Sequence, residues 1–217
     1  FTKTASVNVV STGVNLSQNE VTVDGTNGAK VQAYAFNTAV EDVTNAVTWS
    51  VTPAEAEYGV SIANDGTITI DAKAKAGYYK VTANSSEAFG DAGKAIATLW
   101  VSRTPSEAVS VDVSPLVSYI EPTMYVPAEE PSTRQFNVTV TDQYGDELEH
   151  PEVEWSISPA CQGVSIAEDA TRCGELTVTK EAKNEITDTE GKEFTVTAKC
   201  GEVQGSATIT IKRAEAY

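Results

Sequence analysis

Apolar and polar residues alternate with a period of two along most of the chain, the signature of strands with one buried face. Val47, Trp49 and Val51 fall on one side of such a run, with Thr48 and Ser50 on the other. Val153, Trp155 and Ile157 repeat this arrangement. Ile68 and Ile70 alternate with threonines, as do Leu176 and Val178. Tyr79, Val81 and Ala83 form one inward set, matched by Phe194, Val196 and Ala198, and Phe136, Val138 and Val140 form another. Valine and threonine dominate these runs, and both suit a pleated, half-buried surface. Asp24-Gly25-Thr26-Asn27-Gly28, Asn64-Asp65-Gly66, Gln143-Tyr144-Gly145-Asp146 and Gly201-Glu202 supply turn chemistry between them. Ala72 to Ala76 and Lys180 to Glu185 have room for one helical turn each, too short for a lasting helix.

The alternating unit is written twice. Val47 to Pro53 returns as Val153 to Pro159, and Gly59-Val60-Ser61-Ile62-Ala63 returns unchanged at Gly163 to Ala167. Val81-Thr82-Ala83 becomes Val196-Thr197-Ala198, and Val101-Ser102-Arg103 becomes Ile211-Lys212-Arg213. The offsets (106 for Trp49 to Trp155, 104 for Gly59 to Gly163, 115 for Val81 to Val196, 110 for Arg103 to Arg213) differ, so strands are kept while loops vary. The boundary falls near Arg103-Thr104-Pro105-Ser106, which divides the chain into residues 1–104 and 105–217. About seven short strands per hundred residues, with one tryptophan on the third, describe an all-β chain of two tandem immunoglobulin-like β-sandwich domains. Trp49 and Trp155 belong to the two cores, because the valines and isoleucines beside them share their face. Aligning Asn37 with Asp142 turns Val31, Ala33 and Ala35 inward and Tyr34 and Phe36 outward; a slip of one residue reverses that choice.

Charge narrows the function. The 217 residues carry 15 Lys+Arg against 31 Asp+Glu, a net of −16, which repels phosphate backbones and anionic lipid. Nucleic acid is therefore not an expected partner. No apolar run approaches the ~20 residues of a membrane span, so membrane insertion is not expected either. No signal-peptide pattern is present, and a start at Phe1 fits a matured chain. The acids concentrate after residue 104, and no Lys or Arg occurs from Gln135 to Thr171. Within that stretch Asp142, Asp146 and Glu147 flank Gly145 and form the best candidate for calcium. They lack the acid ladder of a calcium-binding loop, and a solvated acidic turn is the plainer expectation. The sole histidine, His150, lies in a polar loop, and no phosphate-binding loop, zinc spacing or nucleophile–base pattern occurs. No catalytic activity and no cofactor are expected.

The quoted segments resemble the bacterial immunoglobulin-like domains, most nearly their group 2 type. That family carries a similar V-x-W-S strand, a G-V-S-I … D-G-x-x-x-I hairpin and an A-G-x-Y-x-V-T-A strand. Here these are Val47 to Ser50, Gly59 to Ile62 with Asp65 to Ile70, and Ala76 to Ala83. The second unit departs in the middle: Ala170-Thr171-Arg172-Cys173 lengthens the hairpin and Glu190 to Phe194 replaces the glycine–tyrosine block. The resemblance implies an extracellular or cell-surface location and a non-catalytic spacer, display or adhesion role. A carbohydrate-binding or host-adhesive module accessory to a glycan-active enzyme is the alternative. An extracellular protein or glycan is then the partner, with Tyr34, Phe36, Tyr78 and Trp100 as candidate contacts. In such a sandwich Cys173 and Cys200 fall at one pole and Cys161 at the other, so a Cys173–Cys200 disulfide is favoured over Cys161–Cys173 or three free thiols. Trp100 matches Thr210 of the second unit on the outward face. Its cover is the start of the second domain, its own sheet, or a stacked glycan.

Overall fold

The computed structural model describes residues 12–115, 123–169, 173–187 and 190–213, and divides into two compact units, Phe1–Ser106 and Glu107–Tyr217. Ala170 to Arg172 of the lengthened hairpin lie outside the described residues. The first unit contains β1 (Gly13–Leu16), β2 (Glu20–Val23), β3 (Ala29–Phe36), β4 (Thr48–Thr52), β5 (Val60–Ile62), β6 (Thr67–Ile70), β7 (Gly77–Asn84) and β8 (Lys94–Arg103). Its two sheets run β1-β3-β6-β5 and β2-β8-β7-β4. The second unit contains β9 (Ala108–Pro115), β10 (Thr123–Val126), β11 (Ser132–Asp142), β12 (Glu154–Ser158), β13 (Val164–Ile166), β14 (Glu175–Val178), β15 (Lys192–Cys200) and β16 (Val203–Arg213). Its sheets, β13-β14-β11-β9 and β10-β16-β15-β12, repeat the first plan strand for strand.

Among the described residues each unit has eight strands rather than seven, because the first strand is shared between the sheets. In the first unit β1 pairs antiparallel with β3; the chain then crosses to the other sheet, where β2 pairs parallel with β8. The parallel pairing recurs between β10 and β16. A sandwich edge divided this way offers both sheets a partner from one short segment.

The two cores follow the alternation. Val31, Ala33, Ala35, Trp49, Val51, Ile68, Ile70, Tyr79, Val81, Ala83, Leu99 and Val101 are buried in the first unit. Phe136, Val140, Trp155, Leu176, Val178, Phe194, Val196, Ala198, Ile209 and Ile211 are buried in the second, with Val138 half-buried against them. Each fully buried Val, Leu, Ile or Phe contributes about 1.5–3 kcal/mol relative to exposure. β3 thus has the phase set by aligning Asn37 with Asp142. The slip is excluded physically, since it would bring Tyr34 and Phe36 into the core and expose three residues that are now 0–1% accessible.

Two short elements differ from the sequence expectation. Residues 72–76 form no helix; the chain turns there, with the Ala74 N–H donating to the Asp71 carbonyl at 3.0 Å. A one-turn helix α1 (Ser86–Phe89) forms instead between β7 and β8, where the Ser85 hydroxyl accepts the Ala88 N–H. Lys180–Asn184 does make a helical turn, of the tighter 3-10 kind.

Candidate functional site

The acidic turn after β11 is a backbone device. One carboxylate oxygen of Asp142 accepts the Tyr144 and Asp146 N–H groups, both at 2.9 Å, and the side chain is 4% exposed. Asn37 does the same in the first unit, its amide oxygen accepting the Ala39 and Glu41 N–H groups at 3.0 Å. The backbone bonds also correspond: Asn37 to Glu41 matches Asp142 to Asp146, and Val43 to Ala35 matches Leu148 to Val140. An amide and a carboxylate serve equally, so this turn requires an acceptor and not an anion. Among the described residues no group of three His, Cys, Asp or Glu could hold a metal ion. Of the three acids that flank Gly145, Asp142 is committed to its own turn, and Asp146 and Glu147 face solvent. His150 is likewise exposed, in a left-handed loop conformation with φ 56°.

Cys161, Cys173 and Cys200 are free thiols in the structure, the arrangement that the sequence left open beside a Cys173–Cys200 bond. The Cys173 sulfur instead accepts the indole N–H of Trp155 at 3.0 Å. This serves a need, because a buried indole donor requires a partner. Trp49 meets the same need differently, donating to the Thr44 carbonyl at 3.1 Å. Thr44 is buried and is held by Asp42, whose carboxylate accepts both its N–H and its hydroxyl, while the Thr44 hydroxyl accepts the Ala35 N–H. The Thr44 hydroxyl and then its N–H hold the Asp42 carboxyl below its ordinary pKa. Sequence reasoning missed this node. Its signal was Asp42-Val43-Thr44, a local side-chain-to-backbone pattern that the second unit replaces with Glu147-Leu148-Glu149. Burial first, and then the Glu185 carboxylate, push the Cys161 thiol up, which disfavours its thiolate.

The four candidate aromatic residues divide between two sheets. Tyr34 and Phe36 lie on the outward side of β3, where they pair with Asn15 and Gly13 of β1. Tyr78 and Trp100 lie on the outward side of β7 and β8, where they are direct cross-strand partners. Their ring centroids are 4.4 Å apart with the planes tilted at 45°. Tyr78 is 71% exposed, and Trp100 is half-buried under it. Trp100 thus takes a cover from its own sheet. Glu20 completes the row on β2, opposite Trp100. The same three register positions of the second unit hold Thr123, Thr210 and Glu193.

No protein-family model and no curated protein matches the chain. Solved structures do. The chain is similar to the EC22-24 fragment of mouse cadherin-23, with a TM-score of 0.54 at 15% identity over 94% of this chain and 65% of that one. It is similar to protocadherin gammaB7 EC3-6, with a TM-score of 0.55 at 16% identity over 94% of this chain and 48% of that one. Drosophila N-cadherin EC1-4 gives a TM-score of 0.50 at 13% identity, over 94% of this chain and 50% of that one. The chain spans about half to two-thirds of these structures. At such identities the likeness shows the fold alone, that of tandem immunoglobulin-like β-sandwiches.

Proposed function

We propose that the chain is a non-catalytic tandem immunoglobulin-like module, of the bacterial group 2 kind, in a secreted or cell-surface protein. Each unit is a domain of its own, and the pair acts as a spacer that holds and displays what flanks it. The observation that carries this reading is the parallel pairing of terminal strands, β2 with β8 and β10 with β16. In the first unit it runs in register from Glu20–Trp100 to Val23–Arg103. The chain enters β2 at its N-terminal end and leaves β8 at its C-terminal end. Tension along the chain therefore slides the two strands past each other, loading all their bonds together instead of opening them one at a time. A module that transmits tension benefits from that arrangement twice over. The neighbours at fold level are cadherin and protocadherin fragments of several consecutive domains, which agrees with a role in series.

The test is to tether the chain by its two ends and extend it. Two separate unfolding events are expected, each releasing on the order of 30–35 nm of contour at ~3.4 Å per residue. Extension without discrete resisting steps, or a single merged step, would overturn the spacer reading.

A further inference from the structure

We propose that the outward face of β2-β8-β7-β4 in the first unit is a binding site for a neutral glycan chain, with Tyr78 and Trp100 as its stacking platform. The fold does not require these rings. The second unit builds the same sheet, in the same register, with Glu193 and Thr210 in their places. A 71% exposed tyrosine stacked on a tryptophan leaves apolar ring surface in water, where a solvated Glu–Thr pair would serve the fold equally well.

The surroundings select the ligand class. Glu20 stands beside Trp100 in the register row, and the next row brings together exposed Thr52, Lys80 and Thr98. One acid and one base balance, and the hydroxyls and charged heads offer donors and acceptors around the rings. This matches a sugar whose hydroxyls are equatorial, since its axial C–H bonds then form an apolar ring face with a polar rim. A strongly anionic polysaccharide is poorly served, because Lys80 is the one cation of these two rows and Glu20 offsets it. A protein partner is a poor fit on area: the two rings expose on the order of 200 Å², against about 800 Å² per partner in a standard interface. The 45° tilt means the rings cannot both lie flat under one sugar. Consecutive, mutually rotated residues of a single soluble chain suit them better than a flat crystalline surface.

The experiment titrates the 217-residue chain with β-1,4- and β-1,3-linked glucohexaose, with polygalacturonate as the anionic control, read by calorimetry and tryptophan emission. Trp49 and Trp155 are buried, so a change in emission reports Trp100. Binding of one or both neutral hexaoses is expected, with a Kd on the order of 0.1–1 mM for so shallow a site. The double exchange Tyr78→Glu/Trp100→Thr installs the pair that the second unit already carries, and should weaken binding at least about tenfold, 1.4 kcal/mol. Tyr78→Ser, at a more exposed position, is the second variant should the double exchange not fold, and is expected to weaken binding in the same direction. The proposal is overturned if neither hexaose binds at about 10 mM, if the folded variants bind like the parent, or if polygalacturonate binds as well as the hexaoses. It is equally overturned if sedimentation shows a parent dimer that these variants dissolve, because a second copy would then own the face.

Discussion

Gly205 in β16 packs against the backbone of β9 in the facing sheet, and replacing it with alanine tests the sandwich directly. A Cβ at this position would stand 1.9 Å from the Val111 carbonyl oxygen and 2.7 Å from its carbonyl carbon. Both are backbone atoms of β9, and Val111 is fixed by its pairing with Val140 and by its own burial. Neither strand can yield without breaking its ladder. Gly205 does not have a positive φ, so its backbone suits alanine, and on chain entropy alone the exchange should stabilise by about 0.4–1 kcal/mol. Overpacking costs about 1–3 kcal/mol and acts in the opposite direction. With backbone on the receiving side the upper part of that range applies, so the net effect is a loss of about 1–2 kcal/mol. The transition of a domain this size should fall by roughly 4–12 °C. Gly201 is the control: it has φ 57° and nothing within 4 Å of an added Cβ, so Gly201→Ala feels only the left-handed backbone and no clash. Hydrogen-exchange mass spectrometry of β15 and β16 peptides along a thermal ramp isolates the second unit from the first. A Gly205→Ala variant as stable as the parent, or more so, would refute the close crossing of β9 over β16.

Tyr79 is buried, and its hydroxyl meets the Lys75 carbonyl at 2.7 Å and the Tyr58 carbonyl at 3.2 Å. Tyr79→Phe should therefore cost about 1–2 kcal/mol in urea titration, and a loss under about 0.3 kcal/mol would deny those bonds any role. Asp142→Asn should leave stability within about 0.5 kcal/mol of the parent, since Asn37 already performs the same turn. A calcium-dependent rise in melting temperature that disappears in that variant would establish a metal site at this turn. Hydrogen bonds, chiefly from backbone N–H groups at Asp24, Asp65 and Glu185 and from a threonine hydroxyl at Asp42 and Glu181, hold these carboxyls below their ordinary values. The unfolded chain then binds more protons than the folded one as pH falls, so these groups stabilise fully above their unfolded values of about 4 and lose that contribution through their lower folded values. Melting temperature should be flat between about pH 5 and pH 8 and fall below about pH 4; a rise on acidification would contradict the assigned bonds.

The cores were legible because strand alternation is local: Val31, Ala33 and Ala35 against Tyr34 and Phe36 need only parity and one anchor, the Asn37 turn. The partners of the two indoles were not. Trp49 and Trp155 occupy equivalent strands, yet one donates to a carbonyl before its own strand and the other to a sulfur in the β13–β14 hairpin. That choice depends on whether residue 44 or its counterpart in the second unit can be buried, which a threonine with one aspartate achieves and Glu149 does not. The use of the Cys173 sulfur as an acceptor was hidden for the same reason. Topology placed Cys173 and Cys200 at one pole but said nothing of a competing use for the sulfur. Splitting of the first strand was also hidden, since β1 and β2 alternate alike whichever sheet receives them.

Trp100 shows what the repeat can reveal beyond fold. Sequence alignment marked it as anomalous against Thr210, and its meaning came only with the register that sets Tyr78 beside it, across strands joined through α1 and a second short turn. Two units with the same strand order, the same turns and equivalent cores act as internal controls for each other. Where both keep a residue type at one register, as with Trp49 and Trp155 or Gln32 and Gln135, packing and hydrogen bonding explain it: both glutamines bridge to the hairpin carbonyls of Asp65 and Cys173. Where one unit places large aromatic side chains on a solvent face that the other fills with Glu and Thr, the sheet is shown to form without them, although an aromatic cross-strand pair adds about 0.2–1 kcal/mol of its own. Exposed ring surface is unfavourable in water, and a ligand stacked on Tyr78 and Trp100, as proposed above, would relieve that cost. The asymmetry between equivalent registers, more than the exposure of either ring alone, is what directs attention to that face.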